Sequence, residues 1–196
     1  MLAACSSDKN NAEQHFHQGN EFIDQGNYNE AIAEFTEVIR LNPDFAEAYL
    51  NRGLAYYNLD QLERSIADFD EAIRLNPESS EAYFNRGNAH HDLGQFEQGI
   101  ADYTQAISLN FKDAEIYFNR GNTYYYVSQF EQSIADYTQA ISLDSQYTEA
   151  YFNRGLALIE QDKKAEAIAD FEKFISLTDN PQWIEMAQLK IDELKE

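Results

Sequence analysis

The stretch Glu81–Leu109, EAYFNRGNAHHDLGQFEQGIADYTQAISL, decides the fold. The chain repeats it with small changes. Its marker Asn-Arg-Gly falls at Asn51, Asn85, Asn119 and Asn153, a spacing of 34 residues. A fixed period of this size marks stacked helical hairpins, each too small to bury its apolar side alone. Working outward, residues 12–181 divide without a gap into 12–45, 46–79, 80–113, 114–147 and 148–181. Residues 1–11, rich in Ser, Asn, Asp and Lys, read as an N-terminal tether. Residues 182–196 space their apolar side chains as one more helix, a cap for the last apolar face.

Numbering each repeat from 1 to 34, a first helix covers about positions 2–14 and a second about 18–31. In the second repeat Tyr49, Arg52, Gly53 and Tyr56 form one stripe, and Ser65, Phe69, Ala72 and Ile73 the other. Gly26, Asp60, Gly94, Ser128 and Asp162 mark the break within each hairpin, being residues that tolerate left-handed turns. Asn42-Pro43 and Asn76-Pro77 stop helices between hairpins. Position 8 is always glycine: Gly19, Gly53, Gly87, Gly121 and Gly155. A mid-helix glycine costs about 1 kcal/mol against alanine, so its recurrence points to a close approach that a methyl group would block. Position 20 is small throughout, and position 24 is Phe35, Phe69, Tyr103, Tyr137 or Phe171. Small against large is how two helices interlock.

These residues resemble the tetratricopeptide repeat (TPR) family. One repeat supplies Tyr49, Gly53, Tyr56, Ser65, Phe69, Ala72 and Pro77 at the family's signature positions, and the match covers residues 12–181. The resemblance implies an all-α fold, an α-solenoid of five 34-residue helix-turn-helix units with a C-terminal capping helix. It departs from the family at position 7, where Arg52, Arg86, Arg120 and Arg154 replace the usual leucine. Each is matched by an aspartate at position 23: Asp68, Asp102, Asp136 or Asp170. The expectation is a paired, structural charge with its stem against the core.

By the same resemblance, a TPR array lines a concave groove with first-helix positions 2, 5, 6, 9, 12 and 13. The candidate peptide-binding residues are then Asn51, Asn85, Asn119 and Asn153, with Asn88 and Asn122, Phe84 and Phe118, Tyr57 and Tyr125, and Glu81 and Glu115. Asparagine is a poor helix former, so a column of four points to a use for the amide. An amide donates and accepts together. It matches an extended peptide backbone, as in the asparagine ladders of some TPR superhelices, or it bonds a neighbouring repeat. In carboxylate-clamp TPRs basic residues grip acidic peptide tails. Here Asn20 and Asn51 match the clamp, but Phe16, Glu81 and Asn85 stand where its Lys or Arg would be.

Charge agrees with that departure. Fourteen basic residues face 35 acidic ones, net −21, which repels nucleic acid and anionic lipid and favours a basic or neutral protein or peptide. No cofactor and no metal is expected. His15 and His17, like His90 and His91, point to different helix faces, and neither a Gly-rich phosphate loop nor a nucleophile motif is present. The expected role is non-enzymatic: an adaptor or scaffold. Leu2-Ala3-Ala4-Cys5 resembles the lipobox of bacterial lipoproteins, although no charged or apolar segment precedes it. That resemblance implies lipidation at Cys5, the only membrane link expected, and an envelope location. The alternative is a cytoplasmic assembly chaperone or scaffold for a multi-subunit complex.

Overall fold

The structure is a computed structural model that describes the backbone of residues 2–196 and the side chains of residues 11–196. Among the described residues it is all helix: α1 (Leu2–Asp24), α2 (Tyr28–Leu41), α3 (Ala46–Asn58), α4 (Leu62–Leu75), α5 (Ser80–Asp92), α6 (Phe96–Ser108), α7 (Ala114–Tyr126), α8 (Phe130–Leu143), α9 (Thr148–Glu160), α10 (Lys164–Leu177) and α11 (Pro181–Lys195). Helices begin and end about one residue earlier than the repeat pattern predicts. Two compact units form, residues 1–110 and 111–196. In the first, the hairpins α1/α2, α3/α4 and α5/α6 stack, α2 on α3 and α4 on α5. In the second, α7/α8 and α9/α10 stack through α8 and α9, and α11 packs on α10.

Helical backbone runs from Leu2 through the segment expected as a tether. No glycine or proline interrupts the chain before Gly19, so nothing local stops the helix there. The side chain of Cys5, the expected lipid site, lies outside the described residues.

First helices bury two faces, not the one stripe expected. Tyr49, Arg52 and Tyr56 are half-buried, whereas Ala48 and Ala55 are fully enclosed. Ala48 joins Ala12 and Val38, and Ala55 joins Ala31 and Phe35, all from the preceding hairpin. Alanine at these positions lets neighbouring hairpins approach closely, a role the stripe analysis missed. Second helices follow most of the expected stripe: α4 buries Ser65, Phe69 and Ala72, with Leu62 and Asp68 added, while Ile73 is half-buried.

The position 8 glycines meet the ring at position 24. A Cβ on Gly53 would lie 2.6 Å from Phe69 Cε1, and one on Gly87 or Gly121 would lie 2.8 Å from a tyrosine ring carbon. Gly99 at position 20 is also tight: a Cβ added there would lie 3.2 Å from the Gly87 carbonyl oxygen. All five hairpin breaks carry positive φ: Gly26 (73°), Asp60 (58°), Gly94 (72°), Ser128 (59°) and Asp162 (56°). At the end of the third hairpin, where Phe111 replaces the proline, α6 instead stops at a left-handed Asn110 (φ 67°).

Each position 7 arginine forks its position 23 aspartate. Arg52 Nε and Nη2 donate to Asp68 at 2.7 and 2.8 Å, and Arg154 makes the same pair with Asp170 at 2.7 Å twice. Arg86 with Asp102 and Arg120 with Asp136 repeat the geometry. The third nitrogen reaches the preceding hairpin: Arg86 Nη1 donates to Asp70 at 2.6 Å, and Arg52 Nη1 to Thr36 Oγ1 at 3.1 Å. Hydrogen bonds from these carboxylate forks hold Arg52 and Arg154 above the ordinary guanidinium pKa. A tyrosine ring at position 4 lies under each fork, from 5.5 Å (Tyr83) to 5.9 Å (Tyr117). The arginines are thus structural, as expected.

Two outcomes test this core. Gly53→Ala gains helix propensity yet clashes with Phe69, so chemical denaturation will show it less stable by roughly 1–3 kcal/mol. Arg120→Met strands a buried Asp136 and will cost about 3 kcal/mol, while Arg120→Met with Asp136→Leu recovers most of that loss in the same measurement.

Candidate functional site

The residues expected to bind sit on first helices, and the structure treats them unequally. In the N-terminal unit, Asn51 Nδ2 donates to Asn20 Oδ1 at 2.7 Å, bridging neighbouring hairpins. Asn85 has no such partner, because Leu54 stands where Asn20 stands one repeat earlier, and its half-buried amide makes no hydrogen bond. Asn88 accepts from the Tyr103 hydroxyl at 2.8 Å. Phe84, expected as a ligand anchor, is only 8% exposed and packs on the Tyr103 ring at 6.1 Å. It belongs to the core, because the ring in the glycine notch needs a lid. Tyr57 donates to Asp92 at 2.5 Å, again between hairpins. Glu81 is exposed and forms no ion pair.

In the C-terminal unit the ladder recurs. Asn153 Nδ2 donates to Asn122 Oδ1 at 2.9 Å, and the Tyr137 hydroxyl donates to the same oxygen at 2.8 Å. Asn119 is half-buried, and its backbone carbonyl accepts from Thr123 Oγ1. Tyr125 meets Phe130 edge-on at 5.4 Å, and burial, then the charge of Glu160, pushes its hydroxyl pKa up. Glu115 is exposed.

Two predicted residues, Phe118 and Asn153, come together in a cleft of about 260 Å³, with Glu149, Phe152, Phe174, Trp183 and Met186. Four helices build it. α7 carries Phe118. α9 carries Glu149, Phe152 and Asn153. α10 carries Phe174 and α11 carries Trp183 and Met186. Phe152 is held against Phe171 at 5.3 Å and Phe174 at 5.0 Å, so its ring is fixed from behind. Asn180 caps α11, its Oδ1 accepting from the backbone of Gln182 and Trp183 at 3.0 and 3.4 Å, and Pro181 opens the helix. That cap sets Trp183 at the edge of the cleft, where it stacks on buried Phe174 (5.9 Å, 15°). Trp183 and Met186 are each 41% exposed, an unusual display for such side chains. Phe118 and Asn153 are among the residues expected to bind, whereas α11 is expected only to cover the last apolar face. α11 does cover, through buried Ala187 and Ile191, but it also walls the cleft.

Other candidates hold no site. His15 Nδ1 pairs with Glu34 at 2.5 Å, His90 Nδ1 meets Gln95 Oε1 at 2.6 Å, and His91 lies on the Phe96 ring. Among the described residues no three His, Cys, Asp or Glu side chains gather as metal ligands, and no helix is long and apolar enough to cross a membrane.

Profiles described as a TPR repeat match residues 19–60, 87–126 and 121–162, and others described as a tetratricopeptide repeat match 46–79, 69–101 and 148–181. No curated protein matches the chain. Among solved structures, MamA from Desulfovibrio magneticus RS-1 is 21% identical, with TM-score 0.81 over 87% of this chain and 98% of its own. YrrB, described as a TPR protein with an unusual peptide-binding site, is 18% identical, with TM-score 0.81 over 96% of this chain and 97% of its own. The first TPR of Spaghetti, bound to the HSP90 peptide SRMEEVD, is 26% identical, with TM-score 0.60 over 61% of this chain and 94% of its own.

The ladder separates two kinds of asparagine. Asn153→Ala removes one donor from Asn122 and will lower stability by about 0.5–1.5 kcal/mol in a urea melt, while Asn85→Ala will leave the midpoint unchanged within error.

Proposed function

Because the chain belongs to the tetratricopeptide repeat family, we propose that it is a protein-interaction module, an adaptor or scaffold, that holds a basic or neutral peptide segment. The observation that carries this reading is the aromatic cleft between α7, α9, α10 and α11, open at Trp183 and Met186. Interfaces gain most of their affinity from a few aromatic anchors in desolvated pockets, and this cleft supplies four aromatic side chains in one place. Exposed Glu149 lines it. The free amide of Asn85 offers a peptide backbone a donor and an acceptor on the corresponding face of the N-terminal unit.

The HSP90 peptide bound by Spaghetti is acidic at its end. This chain sets Phe16, Glu81 and Asn85 where basic clamp residues would be, so a ligand of that charge is disfavoured. A net charge of −21 also argues against nucleic acid. The lipobox-like Leu2-Ala3-Ala4-Cys5 favours an envelope location over a cytoplasmic assembly role. Metabolic labelling with palmitate in a bacterial host tests that location: incorporation lost on Cys5→Ala supports it, and no incorporation removes it.

The module itself is tested on an array of 15-residue peptides of varied charge. Binding is expected for basic and neutral sequences and absent for acidic ones. Trp183→Ala, at an exposed side chain, should weaken it about tenfold without moving the melting temperature. Retention that ignores Trp183→Ala would place recognition elsewhere.

A further inference from the structure

The cleft of the C-terminal unit has a chemistry more specific than apolar. Its walls are the rings of Phe118, Phe152 and Trp183, with Phe174 behind Trp183, and no Lys or Arg lines it. Phe118 also packs on Tyr147, ring centres 4.8 Å apart. The Tyr147 hydroxyl is pushed up first by burial and then by the negative fields of Glu115, Glu149, Asp113 and Asp144. Those four carboxylates therefore lie within electrostatic reach of Tyr147. None of them forms an ion pair among the described residues; Asp113 and Asp144 accept only backbone N–H groups. Glu149 itself lines the cleft.

An occupant must satisfy both features. Ring faces carry negative quadrupole density and attract a cation. A carboxylate at the mouth adds full charge. An apolar side chain would fit the walls but would strip water from Glu149 and return nothing. A cationic side chain with an apolar stem meets all the demands: stem on Met186 and the rings, charge on Glu149. Arginine fits better than lysine, because its planar guanidinium stacks on rings, is weakly hydrated and presents several donors at once. Asn153 also lines the cleft, one of its N–H groups donating to Asn122.

We propose that the cleft between α7, α9, α10 and α11 is a socket for an arginine side chain of the partner peptide, with lysine a weaker occupant. It rests on the peptide-binding reading above and adds to it the chemical identity of the anchor.

Trp183 is the chain's single tryptophan, so its fluorescence reports the socket directly. The full chain is titrated with acetyl-Leu-Arg-Leu-amide, with the same peptide carrying lysine, and with the neutral isostere carrying citrulline. Expected is a saturable change in Trp183 emission, with the citrulline peptide about tenfold weaker than arginine and lysine between them. Glu149→Gln, whose thermal melt should match the parent, brings arginine down toward citrulline, and about 0.5 M salt does the same. Equal binding of arginine and citrulline, indifference to Glu149→Gln, or no emission change at millimolar peptide would each overturn the socket. The two readings separate on the peptide array. If array peptides bind whether or not their arginines are replaced by citrulline, the interaction module stands and the socket falls. If no array peptide binds, both fall.

Discussion

The contact on which the structure depends is an aromatic ring lying in a glycine notch. In every hairpin the ring at position 24 sits where a side chain at position 8 would begin, so the two helices are as close as backbone and ring allow. Glycine lowers the intrinsic stability of each first helix, and burial of a whole ring more than offsets that. The notch also connects core to surface. Where the ring is Tyr103 or Tyr137, its hydroxyl emerges at position 9 and meets Asn88 or Asn122. Where it is Phe69 or Phe171, position 9 is Leu54 or Leu156. In the first hairpin, however, the ring is Phe35 and Asn20 stands at position 9, accepting from Asn51 instead, so an amide at position 9 is partnered either by a tyrosine hydroxyl or by the next hairpin's asparagine.

Charge is organised by the same economy. Four arginines are folded into forks between helices, each on the aspartate of its own hairpin, and Arg52, Arg86 and Arg154 add a bond to the hairpin before. Little positive charge is left on the surface, while carboxylates such as Glu81, Glu115 and Glu149 stay unpaired. Each fork withdraws one positive and one negative charge, so the remaining groups still carry the whole net charge of −21. Long-range attraction of that sign speeds encounter with a basic segment and fades with salt.

The 34-residue period made the fold legible: hairpin breaks, glycine notches and Arg–Asp forks all stand where it puts them. Much of the site was legible only in part. The asparagine column looked uniform because period alone cannot say what lies 31 residues earlier. Asn51 and Asn153 find Asn20 and Asn122 there, and Asn85 finds Leu54. Phe84 shared a column with Phe118, yet one is enclosed and the other lines a cleft. Phe118 stands beside Phe152, Phe174 and Trp183 of later helices in its own unit, a tertiary fact that no single repeat carries. The buried alanines Ala48 and Ala55 were overlooked because they lie on the second face of a helix read as one-faced.

The cleft follows from the place where the repeat's chemistry changes while its phase continues. Counting 34 residues onward, Glu149 becomes Trp183, Phe152 becomes Met186 and Asn153 becomes Ala187. α11 is thus a first helix in register with the others but with altered columns. The asparagine step is now a fully buried alanine, so no amide bridge joins α9 to α11. The phenylalanine step is a flexible methionine, and the glutamate step is a ring. Within each unit, the step in which both partners are asparagine is closed by its own hydrogen bond, Asn51 to Asn20 and Asn153 to Asn122. The step from α9 to α11 has no such bond. Aromatic surface and one carboxylate are left over together, which is the chemistry the proposed peptide anchor calls for.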